Sequence, residues 1–160
     1  MSCSARATGR DAVPEAYLAH VAEEAPGFAD WARRNASERY SQRDFTYIYA
    51  LGSAGTVAST LAVSRTESRV LDVAYYRLVV TPQAVFNAVF RSAATLSFRG
   101  YAPGPVTSIL TIPLWQLLTK AAIAERRLTK RGVIGCTLIA SLVHAGVVPR
   151  QVLFIGAPDR

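Results

Sequence analysis

Charged residues are scarce in this chain of 160 residues, where they make up 18% of the sequence, against roughly 25% in an ordinary soluble domain. Apolar residues account for 51%. A compact soluble protein of this length would have few charges with which to cover its surface. The shortage therefore indicates that part of the apolar surface faces lipid or another protein.

Cysteine and histidine are also scarce, with two residues of each. Cys3 and Cys136 form no framework of disulfide bonds, and the four residues together show no metal-ligand spacing. We therefore predict no metal site and no cofactor. Because no catalytic motif is present either, the sequence favours a role without catalysis, and Cys136 is interpreted as a small core residue.

His144 is the one side chain whose position suggests a ligand, because an ionisable group within a long apolar run is costly. It is a candidate to ligate a haem or to hydrogen-bond a quinone. The favoured alternative is a histidine whose ring is satisfied by a backbone carbonyl. The other histidine, His20, lies in an acidic amphipathic region. Nearby, Glu23 and Glu24 are interpreted as solvated charges.

Acidic residues almost disappear from the second half of the chain, where residues 73–160 contain ten bases but only Glu125 and Asp159. The formal net charge of the whole chain is +7. A basic, apolar half favours anionic lipid headgroups or an acidic protein as neighbours. We expect lipid or anion contacts from one short cluster: Arg126, Arg127, Lys130 and Arg131. A solvated loop and a nucleic-acid contact are the alternatives.

The first residues of the chain are predicted to be a tail, disordered or for targeting, at residues 1–12. They carry arginines and small hydroxyl residues and lack the apolar stretch of a secretory signal, which is typical of an organellar transit segment. Residues 13–160 are predicted to form a single helical domain. Its first amphipathic helix is expected to open at Pro14 and to break at Pro26-Gly27.

Two uncharged stretches, residues 45–64 and 132–149, approach the length that crosses a bilayer. In the first, Gly52, Gly55 and Ser59 are predicted to form a helix-packing face, since small residues let helices approach closely in lipid. Thr81-Pro82 predicts the start of an amphipathic helix. A further helix is expected from Pro105, kinked at Pro113.

The predicted fold class is mostly α, with two or three membrane-length apolar helices plus amphipathic helices. The alternative is a small α/β domain ending in a helix-strand unit, with a strand at residues 152–155. We expect a non-catalytic accessory or structural subunit of a membrane-associated complex, in the mitochondrial inner membrane. Its expected partners are other protein subunits and membrane lipids. The alternative function is a soluble basic domain that binds a phosphate-bearing ligand or nucleic acid.

Overall fold

The computed structural model describes the backbone of residues 3–154 and, within it, the side chains of residues 11–142, 144 and 146. The chain is mostly helical, with 81% of residues in helices and no strand in the described range. The predicted helical fold class is therefore confirmed. The α-helices are α1 (Cys3–Glu24), α2 (Phe28–Asn35), α3 (Gln42–Ser64), α4 (Arg69–Tyr75), α5 (Asn87–Ser97), α6 (Pro105–Ala124) and α7 (Lys130–Phe154).

The long helices form a bundle whose connections gather at two ends. At one end, Arg127 of the α6–α7 connection bonds Asp72 in the first turn of α4 at 3.2 Å, so this connection lies beside the start of α4. We call this the basic end. At the other end, Gly27 faces Pro103, which brings the α1–α2 and α5–α6 connections together. We call this the aromatic end, because Phe28 lies there.

Each end has its own apolar core. The core nearer the basic end contains side chains from α1, α3, α4, residues 76–80, α6, the α6–α7 connection and α7. It comprises Val13, Val63, Tyr75, Tyr76, Val80, Ala122, Leu128 and Cys136. The core of the aromatic end is built on ring contacts in which Phe28 meets Trp31, Tyr40 and Phe45 at centroid distances of 5.7–5.8 Å. Such tilted and stacked pairs add to the stabilisation from burial alone. The short helix α2 is thereby fixed across the aromatic end.

Pro82 does not begin a helix, contrary to the sequence prediction. Helical backbone runs unbroken from residue 69 to residue 97 and contains two π turns, Tyr76–Val80 and Pro82–Phe86. Thr81 N–H donates to the Tyr76 carbonyl and Asn87 N–H donates to the Pro82 carbonyl, each five residues back. A proline inside an α-helix collides with the carbonyl four residues before it. Widening the turn to the π form lets the helix continue through Pro82.

Two other sequence-based boundaries also differ. Pro14 lies inside α1, which begins at Cys3 rather than at Pro14, and the role of residues 1–12 as a targeting tail stays a prediction. Residues 152–154 are helical and belong to α7, while residue 155 lies outside the described range. The α/β alternative is thus wrong for the described residues, which offer no second strand with which a strand at 152–154 would pair. The break at Pro26-Gly27 and the start at Pro105 are confirmed.

Within the described residues, α6 is the one helix that is both long and apolar enough to cross a membrane, with a mean hydropathy of 1.3. The prediction of two or three such helices is therefore wrong by this measure. In α3, residues with hydroxyl groups lower the mean hydropathy. Two of them, Thr56 and Thr60, are buried and donate to carbonyls one turn back. Only 22% of the apolar window of α6 is buried inside the protein. Most residues of this helix are therefore exposed or only partly buried.

Candidate functional site: the charged cluster of helix α1

Three polar side chains lie on one face of the last turns of α1. His20, Glu23 and Glu24 are at positions i, i+3 and i+4, which share one side of an α-helix. His20 is 2% exposed and Glu24 is fully buried. A carboxylate without exposure to water needs a charged or hydrogen-bonding partner inside the protein.

Arg91 of α5 supplies the opposite charge. Its guanidinium forms an ion pair with Glu24, and the Arg91 side chain is only 4% exposed. Arg91 Nη2 also donates to the hydroxyl of Tyr49 at 3.1 Å. The guanidinium carbon lies 4.5 Å from the centre of the Phe28 ring, a cation–π arrangement. Charge, hydrogen bonding and ring contact therefore all hold α1, α2, α3 and α5 together at Arg91.

The His20 ring has polar neighbours at both of its nitrogens. Nδ1 lies 3.0 Å from Thr107 Oγ1 and 3.2 Å from Ser108 Oγ, both in the first turn of α6. Nε2 lies 2.9 Å from Asn87 Nδ2 and 3.3 Å from Glu24 Oε1. The imidazole thus joins α1 to α5 and α6, with both nitrogens in use.

Glu23 caps the start of α6 from a distance of more than eighty residues along the chain. Thr107 N–H donates to Glu23 Oε2 at 2.8 Å, Val106 N–H donates to Oε1 at 3.3 Å, and the Thr107 hydroxyl donates to Oε2. The first N–H groups of a helix lack partners within the helix, and its N-terminus carries partial positive charge. A carboxylate there satisfies the N–H groups and complements the dipole.

The hydroxyl of Tyr101, in the connection before α6, donates to Glu23 as well. This hydrogen bond, together with partial burial and the nearby negative charge, raises the pKa of Tyr101 to about 12. At the same end, burial and the charge of Asp44 raise the pKa of Tyr40 well above its ordinary value. Both phenols are therefore neutral at physiological pH.

Gly104 allows the cluster to close against α6. Its φ of +99° lies in the left-handed region that glycine adopts without strain. A Cβ at this position would lie 2.5 Å from Glu24 Oε1 and 2.7 Å from His20 Cε1. Both the backbone conformation and the space therefore require glycine, and Pro105 follows it as the first residue of α6.

The chemistry open to the cluster is limited by its internal pairing. Among the described residues, no group of three His, Cys, Asp or Glu side chains is placed to hold a metal ion. A cation beside Glu24 would also meet the positive charge of Arg91. The adjoining cavity, lined by Tyr17, His20, Gln83 and Trp115 among others, has a volume of about 20 Å³. That is space for about one water molecule.

The sequence-predicted packing residues of α3 occupy different positions. Gly52 faces Tyr17 of α1 so closely that a Cβ would collide with the phenol oxygen. Gly55 is exposed and has no atom within 4 Å of the position its Cβ would take. Ser59 is partly buried and donates to the Thr56 carbonyl. Gly52 thus packs inside the bundle, whereas Gly55 lies on its outer surface.

The predicted anion-contact residues are all at the basic end. Arg126, Lys130 and Arg131 are exposed. Arg127 is partly buried and pairs with Glu125 at 2.8 Å and with Asp72 at 3.2 Å. Three of the four cations are thus available to an outside anion, while Arg127 fastens the α6–α7 connection to α4.

His144 and Cys136 both lie on α7. The His144 ring is 5.9 Å from the Phe86 ring and 6.2 Å from the Phe90 ring, and its Nε2 has no hydrogen-bond partner within the described residues. The expected backbone-carbonyl partner for this nitrogen is therefore absent there. Cys136 is a free, buried thiol in the core, as its interpretation as a core residue required.

The interpretation of Glu23 and Glu24 as solvated charges is wrong, because one is fully buried and the other caps α6. Sequence reasoning gave His20 no role in the same site. A usable signal was present: one histidine and two acids share a helix face at i, i+3 and i+4, directly before the break at Pro26-Gly27. The partner Arg91, 67 residues later, is not visible in any local pattern.

This cluster is built from a short sequence pattern: a histidine, any two residues and two glutamates. The same pattern characterises a protein family. Residues 12–118, about two thirds of the chain, match a family model described as a protein of unknown function with HXXEE motif. The chain belongs to the HXXEE family. His20, Glu23 and Glu24 match the letters of the motif. No curated protein and no solved structure matches the chain.

Proposed function

We propose that this HXXEE protein is a membrane-embedded, non-catalytic subunit that packs against other subunits, and that its motif residues join the helices of the bundle. The observation that carries the proposal is the distribution of polarity. Glu24, Arg91 and Asp72 are buried inside, whereas large apolar side chains cover the outside of the long helices. Water-soluble proteins of this size rarely expose extended apolar surfaces.

The outer apolar side chains lie on three of the long helices. On α6, Leu110 and Leu117 are 67% and 65% exposed, and on α7, Leu142 is 75% exposed. Between Thr46 and Ser64, between Pro105 and Thr119, and between Gly132 and Pro149 the sequence has no charged residue. Helix α6, with 20 residues, is long enough to cross a bilayer's hydrocarbon core, and α3 and α7 add further uncharged length. A lipid environment accounts for both the exposure and the missing charges.

The inner polar groups support the same environment, because polar groups within a membrane protein must be satisfied by other protein groups. The hydroxyl of Thr60 lies 2.8 Å from that of Tyr75, and Gln83 donates to Thr56 Oγ1 at 2.7 Å. Together with the α1 cluster, these bonds connect α1, α3, α4, α5 and α6 through their inward faces. The bundle therefore contains internal polar contacts as well as its two apolar cores, while large apolar side chains lie on its outer surface.

The exposed face of α3 supports a protein partner. Ala54, Gly55 and Ala58 are exposed and lie between Leu51 and Leu61, which are also exposed. A groove of small residues between larger apolar side chains allows a second helix to approach closely in lipid. A Gly55→Leu substitution should therefore prevent assembly without disturbing this chain, because open space surrounds Gly55.

The membrane proposal is tested by lysine substitutions on the outer face of α6. Each of Leu110→Lys and Leu117→Lys should cost up to about 3–4 kcal/mol of insertion free energy in a bilayer, so the double variant should be released from membranes by alkaline carbonate. The wild type and the control Glu67→Lys, in the α3–α4 connection, should stay in the pellet. In a soluble protein the same exposed sites would accept lysine. Release of the wild type would therefore contradict the proposal.

The subunit role is tested by migration of the detergent-solubilised protein on native gels. We expect an assembly larger than the monomer for the wild type and for the control Val57→Leu, and the monomer for Gly55→Leu. A wild type that is monomeric in mild detergent would contradict the role. The mitochondrial inner membrane stays a hypothesis based on the composition of residues 1–10, and import into isolated mitochondria tests it.

A further inference from the structure

A groove on the outer surface between α4 and α7 combines apolar and basic side chains. It is open, has a volume of about 520 Å³, and is lined by Val70, Val73, Leu78 and Ile139, together with two arginines, Arg69 and Arg77. Val70 is 77% exposed and Leu78 is 59% exposed. The groove is therefore an apolar channel with two positive charges, at positions i and i+8 of one helical run.

The two arginines have no acidic partner to neutralise them within the described residues. The Nε of Arg77 is buried and has no hydrogen-bond partner there. Glu67, two residues before Arg69, is exposed and forms no ion pair with either arginine within the described residues. Asp72, the acid nearest in sequence to Arg77, is 4% exposed and binds Arg127 at 3.2 Å. Two guanidinium groups beside an apolar channel thus lack a counter-charge, and a buried unpaired donor is costly.

We propose that this groove binds one anionic phospholipid, with the headgroup phosphate on Arg69 and Arg77 and an acyl chain along Val70, Val73, Leu78 and Ile139. This inference rests on the proposed membrane location. Guanidinium groups bind phosphate oxygens with paired, charge-assisted hydrogen bonds. A free phosphate ion would satisfy the charges but would leave the apolar side chains in the groove uncovered.

The position of the groove along the bundle agrees with this ligand. Arg69 begins α4 at the basic end, and Arg77 lies eight residues further along the same run, about 12 Å at a helical rise. Lys130 and Arg131 begin α7 at the same end and are exposed. Basic side chains near the surface of a membrane attract anionic headgroups. A lipid bound here would have its headgroup toward the basic end and its tail toward the bilayer centre.

The test uses the full-length protein in detergent and native mass spectrometry with added phosphatidylglycerol or phosphatidylcholine. We expect one retained phosphatidylglycerol per chain and at least a tenfold weaker retention of phosphatidylcholine. Arg69→Gln/Arg77→Gln should weaken phosphatidylglycerol binding at least tenfold. The control Arg34→Gln, at an exposed position of α2 at the aromatic end, should leave binding unchanged. Circular dichroism of each variant verifies that the helices remain.

Three results would overturn the inference: equal retention of both lipids, retention that is unchanged in the double variant, or displacement of phosphatidylglycerol by millimolar inorganic phosphate. The last would identify an anion site without a role for the acyl chain. These failures are separate from failure of the proposed function. A protein that resists carbonate extraction but shows no lipid preference would be a membrane protein without this site, whereas a protein released by carbonate would lose both.

Discussion

Replacing one member of the buried ion pair between Glu24 and Arg91 should destabilise the protein strongly, whereas replacing both members should change its stability little. Glu24→Ala leaves the Arg91 guanidinium, 4% exposed, without its counter-charge. Removing one member of a buried ion pair typically costs about 3–5 kcal/mol of unfolding free energy. Arg91→Ala should cost at least as much, because it also removes the bond to Tyr49 and the contact with the Phe28 ring.

The double variant Glu24→Leu/Arg91→Met replaces the pair with apolar side chains of similar size. Such exchanges are often neutral or stabilising, because two desolvated charges are removed together. We expect the double variant to lie within about 1–2 kcal/mol of the wild type, after allowing for the lost cation–π contact. The single variants Glu24→Leu and Arg91→Met complete the cycle, and each should cost about 3–5 kcal/mol because it leaves the other charge buried and unpaired. The coupling energy between the two positions should therefore be about 3 kcal/mol or more.

The assay is denaturant unfolding of the protein in detergent micelles, followed by far-ultraviolet circular dichroism. Asp30 and Arg33 of α2 provide the control, since their side chains form an ion pair but are 59% and 45% exposed. Breaking this surface pair should cost about 0–1 kcal/mol. If Glu24→Ala costs no more than Asp30→Ala, or if the two buried substitutions are additive, the Glu24–Arg91 pair does not hold the helices as we describe.

Further predictions concern the two ends of the bundle. Gly104→Ala should destabilise the protein by at least about 1–2 kcal/mol from backbone strain alone, and the collision with Glu24 and His20 adds to this cost. The control Gly135→Ala on α7 should not destabilise the protein, because open space surrounds its Cβ position. Glu23→Ala should cost about 1–2 kcal/mol by uncapping α6, against little for the exposed Glu15→Ala on the same helix; equal effects of the two in the same unfolding assay would contradict the capping role. The positive-inside rule places the basic end in the cytoplasm, or in the matrix if the protein lies in the mitochondrial inner membrane. In a variant without native cysteines, a thiol at Ser68 should therefore react with impermeant reagents only after the membrane is opened, and a thiol at Ser37 should react in sealed cells or mitoplasts; the reverse pattern would contradict this orientation.

Much of the secondary structure is predictable because it depends on local signals. The break at Pro26-Gly27 and the start at Pro105 both depend on backbone properties of proline and glycine. Pro82 shows where such signals fail. Proline at this position favours a helix start. Val80 and Thr81 before it and Ala84 after it are all buried, so the helix continues through Pro82 and its turns widen to the π form.

The site was hidden because its members are ordinary when they are considered one at a time. Two adjacent glutamates on a helix are usually solvated, and Arg91 lies among apolar residues with no acid near it in sequence. What distinguishes them is that both charges lose contact with water only when α1 and α5 meet, at a point where Gly104 lets α6 approach. In a chain with so few charges and so much exposed apolar surface, a buried charge is itself the anomaly. We therefore interpret the residues of the HXXEE motif as the point where α1, α5 and α6 are joined. A coupling energy near zero between Glu24 and Arg91 would contradict this interpretation.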